Sequence, residues 1–242
     1  IGSLLDGGYL FSEVQTLLGE GLEIYRNKLE IKNNTLVWEN PSKILDQSII
    51  RDSFNPFNSS GGLKLINGNI GKGIIKTSSL AEPDAEIVAP VLVFNSQEAV
   101  LDAFGAGQLN QNSIIVVRGQ GPSANGMPEL HKLTSPLNVL QSKGYKVAIV
   151  TDGRMSGASG SVPAIIHVSP EAKLGGILGI IEDGDIIKIN IAKGIFNLLV
   201  EDDALAKRIP AIFDDKPSGI GRELFKSFRT SVSSVEKGAS IF

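Results

Sequence analysis

The chain has 242 residues, 42% hydrophobic and 20% charged, with a net charge of −3, so it can bury a core and is not a disordered tail. This mild acidity, without any dense lysine or arginine run, gives no electrostatic footprint for nucleic acid or an anionic membrane, and no apolar run reaches the roughly 20 residues of a membrane helix. The absence of cysteine excludes a disulfide framework and any thiolate-bound zinc or iron–sulfur cluster built by this chain alone. A soluble, cytoplasmic chain is expected, one large domain with an appendage, with neither nucleic acid nor membrane as a partner.

Leu4, Leu5, Leu10, Val14, Leu17 and Leu18, set among polar residues, predict a helix over residues 1 to 20, interrupted at Gly7 and Gly8. The chain opens on Ile1 inside that pattern, which makes it an expected C-terminal piece of a longer protein. Residues 22–38 carry short alternating runs (Leu22, Ile24; Leu29, Ile31; Leu36, Trp38) that predict strands around an Asn33–Asn34 turn. Asn40–Pro41 then marks the expected boundary, dividing the chain into residues 1–40 and 41–242.

From 60 to 94 the pattern is strand-like, with Leu63, Leu65, Ile74, Ile75 and the run Ile87–Phe94 punctuated by glycines. Ser96 is placed to cap a helix running to Phe104, and Pro128 to open another running to Ser142. Two more strands within 185–200 and helices near 202–208 and 219–230 complete the chain. Short glycine-rich strands mixed with a few helices predict a mixed α/β, barrel-like domain flanked by helices, not a doubly wound nucleotide fold.

The apolar runs 113–117 and 146–150 read as buried parallel strands, and sites in α/β sheets gather at strand C-termini. Gly119, Gly121 and Gly126 follow the first run and Gly153, Gly157 and Gly160 the second, in turns that let backbone amides approach a ligand. By residue type alone, Ser156 is a turn former or helix cap and Glu129 an early-helix acid at the positive end of the dipole. Arg154 and Asp152 read as a solvated pair, with recognition of a carboxylate as the functional alternative for Arg154, and His167 reads as structural. His131, Lys132, Lys72, Lys76 and Arg222 are candidate anion contacts, and residues 219–222 a candidate amide cradle. A serine hydrolase fits poorly, because Arg154 stands two residues before Ser156 where a nucleophile elbow needs glycine, and the chain has only two histidines.

The runs GMPELHKL (126–133), TDGRMSGASG (151–160) and IHVSPEA (166–172) resemble the C-terminal domain of the dihydroxy-acid dehydratase and phosphogluconate dehydratase family, in that family's order. The stretches 53–79, 124–140 and GRELF at 221–225 are similar to its phosphogluconate branch, and the likeness covers nearly the whole chain. The resemblance implies a β-barrel domain flanked by helices, packed over a preceding iron–sulfur domain whose tail is residues 1–40. It implies a hydro-lyase that converts 6-phospho-D-gluconate into 2-dehydro-3-deoxy-6-phosphogluconate in the Entner–Doudoroff route, in a homodimer.

In that scheme Ser156 is an alkoxide base for the C2 proton, an activated hydroxyl that needs cations and amide donors nearby. Glu129 is a Mg2+ ligand, completed by acids of the preceding domain. Arg154, Gly157, Ser159, His131 and Lys132 are substrate contacts, and the cluster, held by the preceding domain, assists loss of the C3 hydroxyl. The chain by itself is then expected to be inactive. A dihydroxy-acid or other sugar-acid dehydratase of the same family, and a non-catalytic sugar-acid binding module, are the alternatives.

Overall fold

The computed structural model describes every residue except 41–45, 59–60, 83–84, 157–160, 214–218 and 220. The chain divides into two units, Ile1–Gly61 and Gly62–Phe242. Of the expected boundary at Asn40–Pro41, Pro41 lies outside the described residues.

In the first unit, helix α1 (Gly2–Asp6) stops at Gly7, and Gly8 turns at φ +70°. The helix expected to run to residue 20 therefore ends after one turn. Strands β1 (Gln15–Thr16) and β2 (Gly19–Glu20) pair instead, and Leu17 and Leu18 between them are exposed. Their spacing with the earlier leucines matches a helical face, but Leu4, Leu17 and Leu18 of that face are left exposed. Leu22 and Ile24 flank or enter a 3-10 turn over Glu23–Arg26, not a strand. The hairpin of β3 (Lys28–Lys32) and β4 (Thr35–Glu39) forms as the Asn33–Asn34 pair requires. Both asparagines take positive φ, +49° and +61°, the two-residue turn whose twist matches its strands.

The second unit is built on a barrel. In chain order its strands are β5 (Leu63–Gly68), β6 (Gly71–Lys76), β7 (Glu86–Phe94), β8 (Ser113–Val117), β9 (Val147–Thr151), β10 (Ala164–Ser169), β11 (Ile186–Asn190) and β12 (Ile195–Leu198). Among the described residues they close in the order β10-β6-β5-β12-β11-β7-β8-β9. The run β7-β8-β9-β10 is parallel, so the C-terminal ends of these four strands open on one side. The fold is a mixed α/β barrel, not a doubly wound nucleotide fold.

Every residue of β8 and β9 is buried, because the two strands carry a core on each face. Ile114, Val116, Ala148 and Val150 point into the barrel with Ile66, Ile75, Ile165, Ile189 and Phe196. Ile115, Val117, Val147 and Ile149 meet the helices α2 (Gln97–Gly105) and α4 (Thr134–Ser142) through Val100, Leu137 and Leu140, with Leu133 just before α4. Ser96 caps α2 as expected, its hydroxyl accepting from the Ala99 N–H at 3.1 Å. Shorter helices α3 (Pro122–Asn125), α5 (Asp202–Leu205) and α6 (Lys226–Ser231) complete the unit. No described helix is long and apolar enough to cross a membrane.

The helix expected from Pro128 begins only at Thr134, after a 3-10 turn over His131–Leu133. Pro128 and Glu129 are extended instead, since Glu129 forms a parallel bridge with Arg154 and Leu130 N–H donates to Arg154 O at 3.1 Å. Long-range backbone pairing here overrides a local first-turn preference. Glu129 is thus not an early-helix acid.

Cutting Ile114 to alanine removes a fully buried side chain from the barrel interior, with an expected cost of about 2–5 kcal/mol. Val88→Ala on the half-exposed outer face should cost within about 0.5 kcal/mol of zero. Urea unfolding of the two variants checks the assignment of inner and outer faces; equal losses would contradict it.

Candidate functional site

The site grows from the loops that leave the parallel strands. Asp152, directly after β9, is fully buried, and its carboxylate accepts from three backbone N–H groups. Gln120 N–H bonds Oδ1 at 2.8 Å, while Gly119 and Ala172 N–H bond Oδ2 at 3.1 and 3.0 Å. Those donors lie in the loops after β8 and β10, so one carboxylate ties three strand ends together. Burial pushes the Asp152 carboxyl up to about 6; the three N–H bonds oppose that rise and the charge of Glu171 adds to it. The solvated Asp152–Arg154 pair expected from their spacing does not form.

Glu171, also buried, does similar work for the loop after β8. Its Oε1 accepts from Ser123 N–H at 3.1 Å and from the Ser123 hydroxyl at 2.8 Å, and its Oε2 from Ala124 N–H at 3.1 Å. Gly121 makes this possible, because a Cβ there would stand 2.2 Å from Glu171 Oε2. Gly153 is needed for the same kind of reason: its Cβ would meet Gln120 Cβ at 2.7 Å.

Beyond Gly153 the chain alternates, Met155 buried in the outer core and its neighbours Arg154 and Ser156 exposed. Arg154 Nε donates to Met127 O at 2.7 Å, and Nη1 lies 3.3 Å from Glu129 Oε2. The other oxygen, Glu129 Oε1, is buried with no hydrogen-bond partner among the described residues. His167 takes φ +56° and donates its N–H to Gly153 O at 2.9 Å, where the register of β10 against β6 shifts. Burial, and secondarily the charge of Arg154, hold the His167 imidazole below its ordinary pKa, so it is neutral at neutral pH.

Glu129, Arg154, Ser156, His167 and Lys76 line one cavity of about 490 Å³, walled by Leu63, Met155, Val162, Ala164 and Ile166. Of the expected site residues, the structure therefore brings together Glu129, Arg154 and Ser156. Gly157 and Ser159 lie outside the described residues. His131 and Lys132 sit exposed on the 3-10 turn and do not line this cavity. Among the other anion candidates, Lys76 enters it, Lys72 pairs with Glu236 at 3.2 Å, and Arg222 bonds Asn125 Oδ1 at 2.9 Å.

Sequence reasoning treated His167 as structural and missed the scaffolding roles of Asp152 and Glu171. The signal for His167 was its place in the IHVSPEA run, but its left-handed backbone is visible only in three dimensions. No group of three or more acidic, histidine or cysteine side chains that could hold a metal occurs among the described residues. Glu129 offers a potential ligand atom, a buried oxygen with no partner among the described residues, of the hard type that suits magnesium.

Fold and site together define a barrel domain that gathers a carboxylate, a hydroxyl and cationic groups where parallel strands end. The chain belongs to the dihydroxy-acid/6-phosphogluconate dehydratase C-terminal family, which matches residues 48–239. It is 48% identical over 244 residues to phosphogluconate dehydratase of Pseudomonas aeruginosa, covering 100% of this chain and 40% of that protein. Against phosphogluconate dehydratase of Escherichia coli K12 the identity is 46% over 243 residues, 99% of this chain and 40% of that one. Dihydroxy-acid dehydratase of Wolinella succinogenes is more distant, 33% identical over 202 residues, 82% of this chain and 35% of the other. The chain spans about 40% of the length of the phosphogluconate dehydratases named here.

Replacing Asp152 by asparagine leaves one carbonyl oxygen for three N–H donors and turns an NH2 group toward them, at an expected cost of about 1–3 kcal/mol near pH 5. The folded pKa of Asp152 lies above its ordinary 3.8, at about 6, so the folded chain holds that proton more tightly. Its contribution to stability is then present at low pH and lost as pH rises from about 4 through about 6. The stability gap between wild type and Asp152→Asn should accordingly narrow over that window, measured by chemical unfolding at each pH. A gap that is flat or widens would contradict the buried-carboxylate assignment.

Proposed function

We propose that this chain is the barrel half of a phosphogluconate dehydratase-type hydro-lyase that eliminates water from 6-phospho-D-gluconate to give 2-dehydro-3-deoxy-6-phosphogluconate. The observation that carries the reading is the shared cavity of Glu129, with its buried unpartnered oxygen, and Ser156. The relatives named phosphogluconate dehydratase support the choice of substrate within the family.

Glu129 Oε1 would be this chain's contribution to holding a magnesium ion, the remaining ligands coming from elsewhere. When bound, such an ion supplies positive charge that stabilises the anion formed beside the substrate carboxylate as the C2 proton leaves. Ser156 takes that proton. A serine can do so only as an alkoxide, and the cations Arg154 and Lys76, which line the same cavity, favour that charged form. The electrons of the C2–H bond become the C2–C3 double bond as the C3–O bond breaks, and the departing hydroxide leaves as water after gaining a proton. The enol then tautomerises to the 2-keto acid.

With no cysteine, this chain offers no thiolate to an iron–sulfur cluster; the cluster that the resemblance implies would be held by the preceding domain and would assist loss of the C3 hydroxyl. The preceding cluster-bearing domain, a homodimeric assembly and a cytoplasmic location belong to the same proposal on the strength of the family resemblance. Arg154, fixed by Met127 O and Glu129, orients Ser156 and faces the substrate; Gly157 and Ser159 are further substrate contacts on the strength of the family resemblance.

In the complete protein, Ser156→Ala should keep the fold and substrate binding while losing turnover by about 10²–10⁴-fold, the usual contribution of a positioned base. Wash-in of solvent deuterium at C2 should fall in parallel. Glu129→Gln keeps the shape but removes the charge that attracts a hard cation, so activity should need far more magnesium. If Ser156→Ala retains both exchange and rate, the base lies elsewhere.

A further inference from the structure

A second cavity, of about 680 Å³, adjoins Arg154 on the side of α3 and α6. Its polar wall carries three arginines, Arg154, Arg222 and Arg229, and its apolar wall includes Phe225, Phe228 and Val232. Among the described residues no carboxylate lines it. Arg229 donates through Nη2 to the neutral carbonyl of Arg222 at 3.3 Å, and among the described residues it has no acidic partner. Its Nε is buried and has no hydrogen-bond acceptor among the described residues. A buried N–H of a charged group left unsatisfied is costly, and a ligand oxygen is the natural remedy.

Arg222 is held from the other side by a relay that begins at the buried Asp152. Gln120, whose N–H bonds Asp152, accepts from Asn125 Nδ2 at 2.9 Å, and Asn125 Oδ1 accepts from Arg222 Nη1 at 2.9 Å. The guanidinium is thereby pre-positioned, and forked guanidinium groups suit phosphate oxygens in particular.

The geometry points to this cavity as an oxyanion subsite for the phosphate monoester end of the substrate, with Arg222 and Arg229 as its binding residues. The inference rests on the dehydratase reading and deepens it. Arg154 borders both cavities, so an open-chain sugar acid reaching across it has its carboxylate and C2 beside Glu129 and Ser156 and its distal phosphate among the arginines. Discrimination between phosphorylated and plain sugar acids then resides in residues 222–229, away from the chemistry.

The test has a binding arm and a kinetic arm, both on the complete protein. Inorganic phosphate should bind the wild type by calorimetry and protect Arg229 from an arginine-specific dicarbonyl reagent, read by mass spectrometry without any substitution. Arg229→Gln should weaken phosphate binding roughly 10–100-fold, the range for a lost charged hydrogen bond, with Arg229→Lys recovering part of it. The ratio of kcat/KM for 6-phosphogluconate over gluconate should fall by a similar factor, through KM more than kcat. An Arg229 that phosphate does not protect, or an unchanged ratio in Arg229→Gln, overturns the subsite. Protection and Arg229-dependent binding in a protein that dehydrates neither acid supports the subsite and removes the proposed reaction instead.

Discussion

The buried carboxylate of Asp152 is the constraint on which the site depends. It sits where three parallel strands end and satisfies three backbone donors from two other loops, groups that no water reaches. Gln120 is positioned by it, then Asn125, then Arg222; on the other side Gly153 receives His167 and Arg154 reaches Met127. The arrangement carries a cost, since a carboxyl pushed up to about 6 by burial is charged at neutral pH against its environment. Three N–H bonds offset that cost, and in return the loops are held closely enough for a glycine to be required at 121 and 153.

The barrel explains why those loops can be fixed at all. β8 and β9 are buried on both faces, so neither strand can slide by one residue without moving its apolar set between two different cores. The strand ends are therefore rigid points from which short loops depart. Arg118, next after β8, adds to this by donating to Ile181 O at 2.9 Å and to Asn95 Oδ1 at 3.0 Å, while Asp185 and Arg208 form a paired contact near the far end of the same segment.

Glu129 and Arg154 show how a carboxylate is poised. Their backbones pair as a two-residue bridge, which forces one carboxylate oxygen against a guanidinium and leaves the other buried and unpartnered. One oxygen is thus oriented by a fixed cation and the other is presented to the cavity.

Much of this was legible in the linear pattern. The all-apolar runs that became β8 and β9, the Asn33–Asn34 hairpin, the Ser96 cap and the mixed barrel class follow from periodicity and turn chemistry, which act over a few residues. The motif runs also singled out Glu129, Arg154 and Ser156, which do share one cavity. What local pattern could not supply was everything made by partners distant in sequence. The leucines of residues 4–18 look helical because spacing does not reveal whether a face is covered, and Pro128 looks like a helix start because the bridge that holds Glu129 extended is made to a residue far along the chain, Arg154. Asp152 reads as a surface charge until β8, β9 and β10 are laid side by side and three amide donors converge on it. By itself, then, the sequence determined the strands, the turns and the residue types of the site; only the tertiary structure decided which of those charges are buried and which oxygen is left open, because desolvation and long-range hydrogen bonding exist only once the strands are packed.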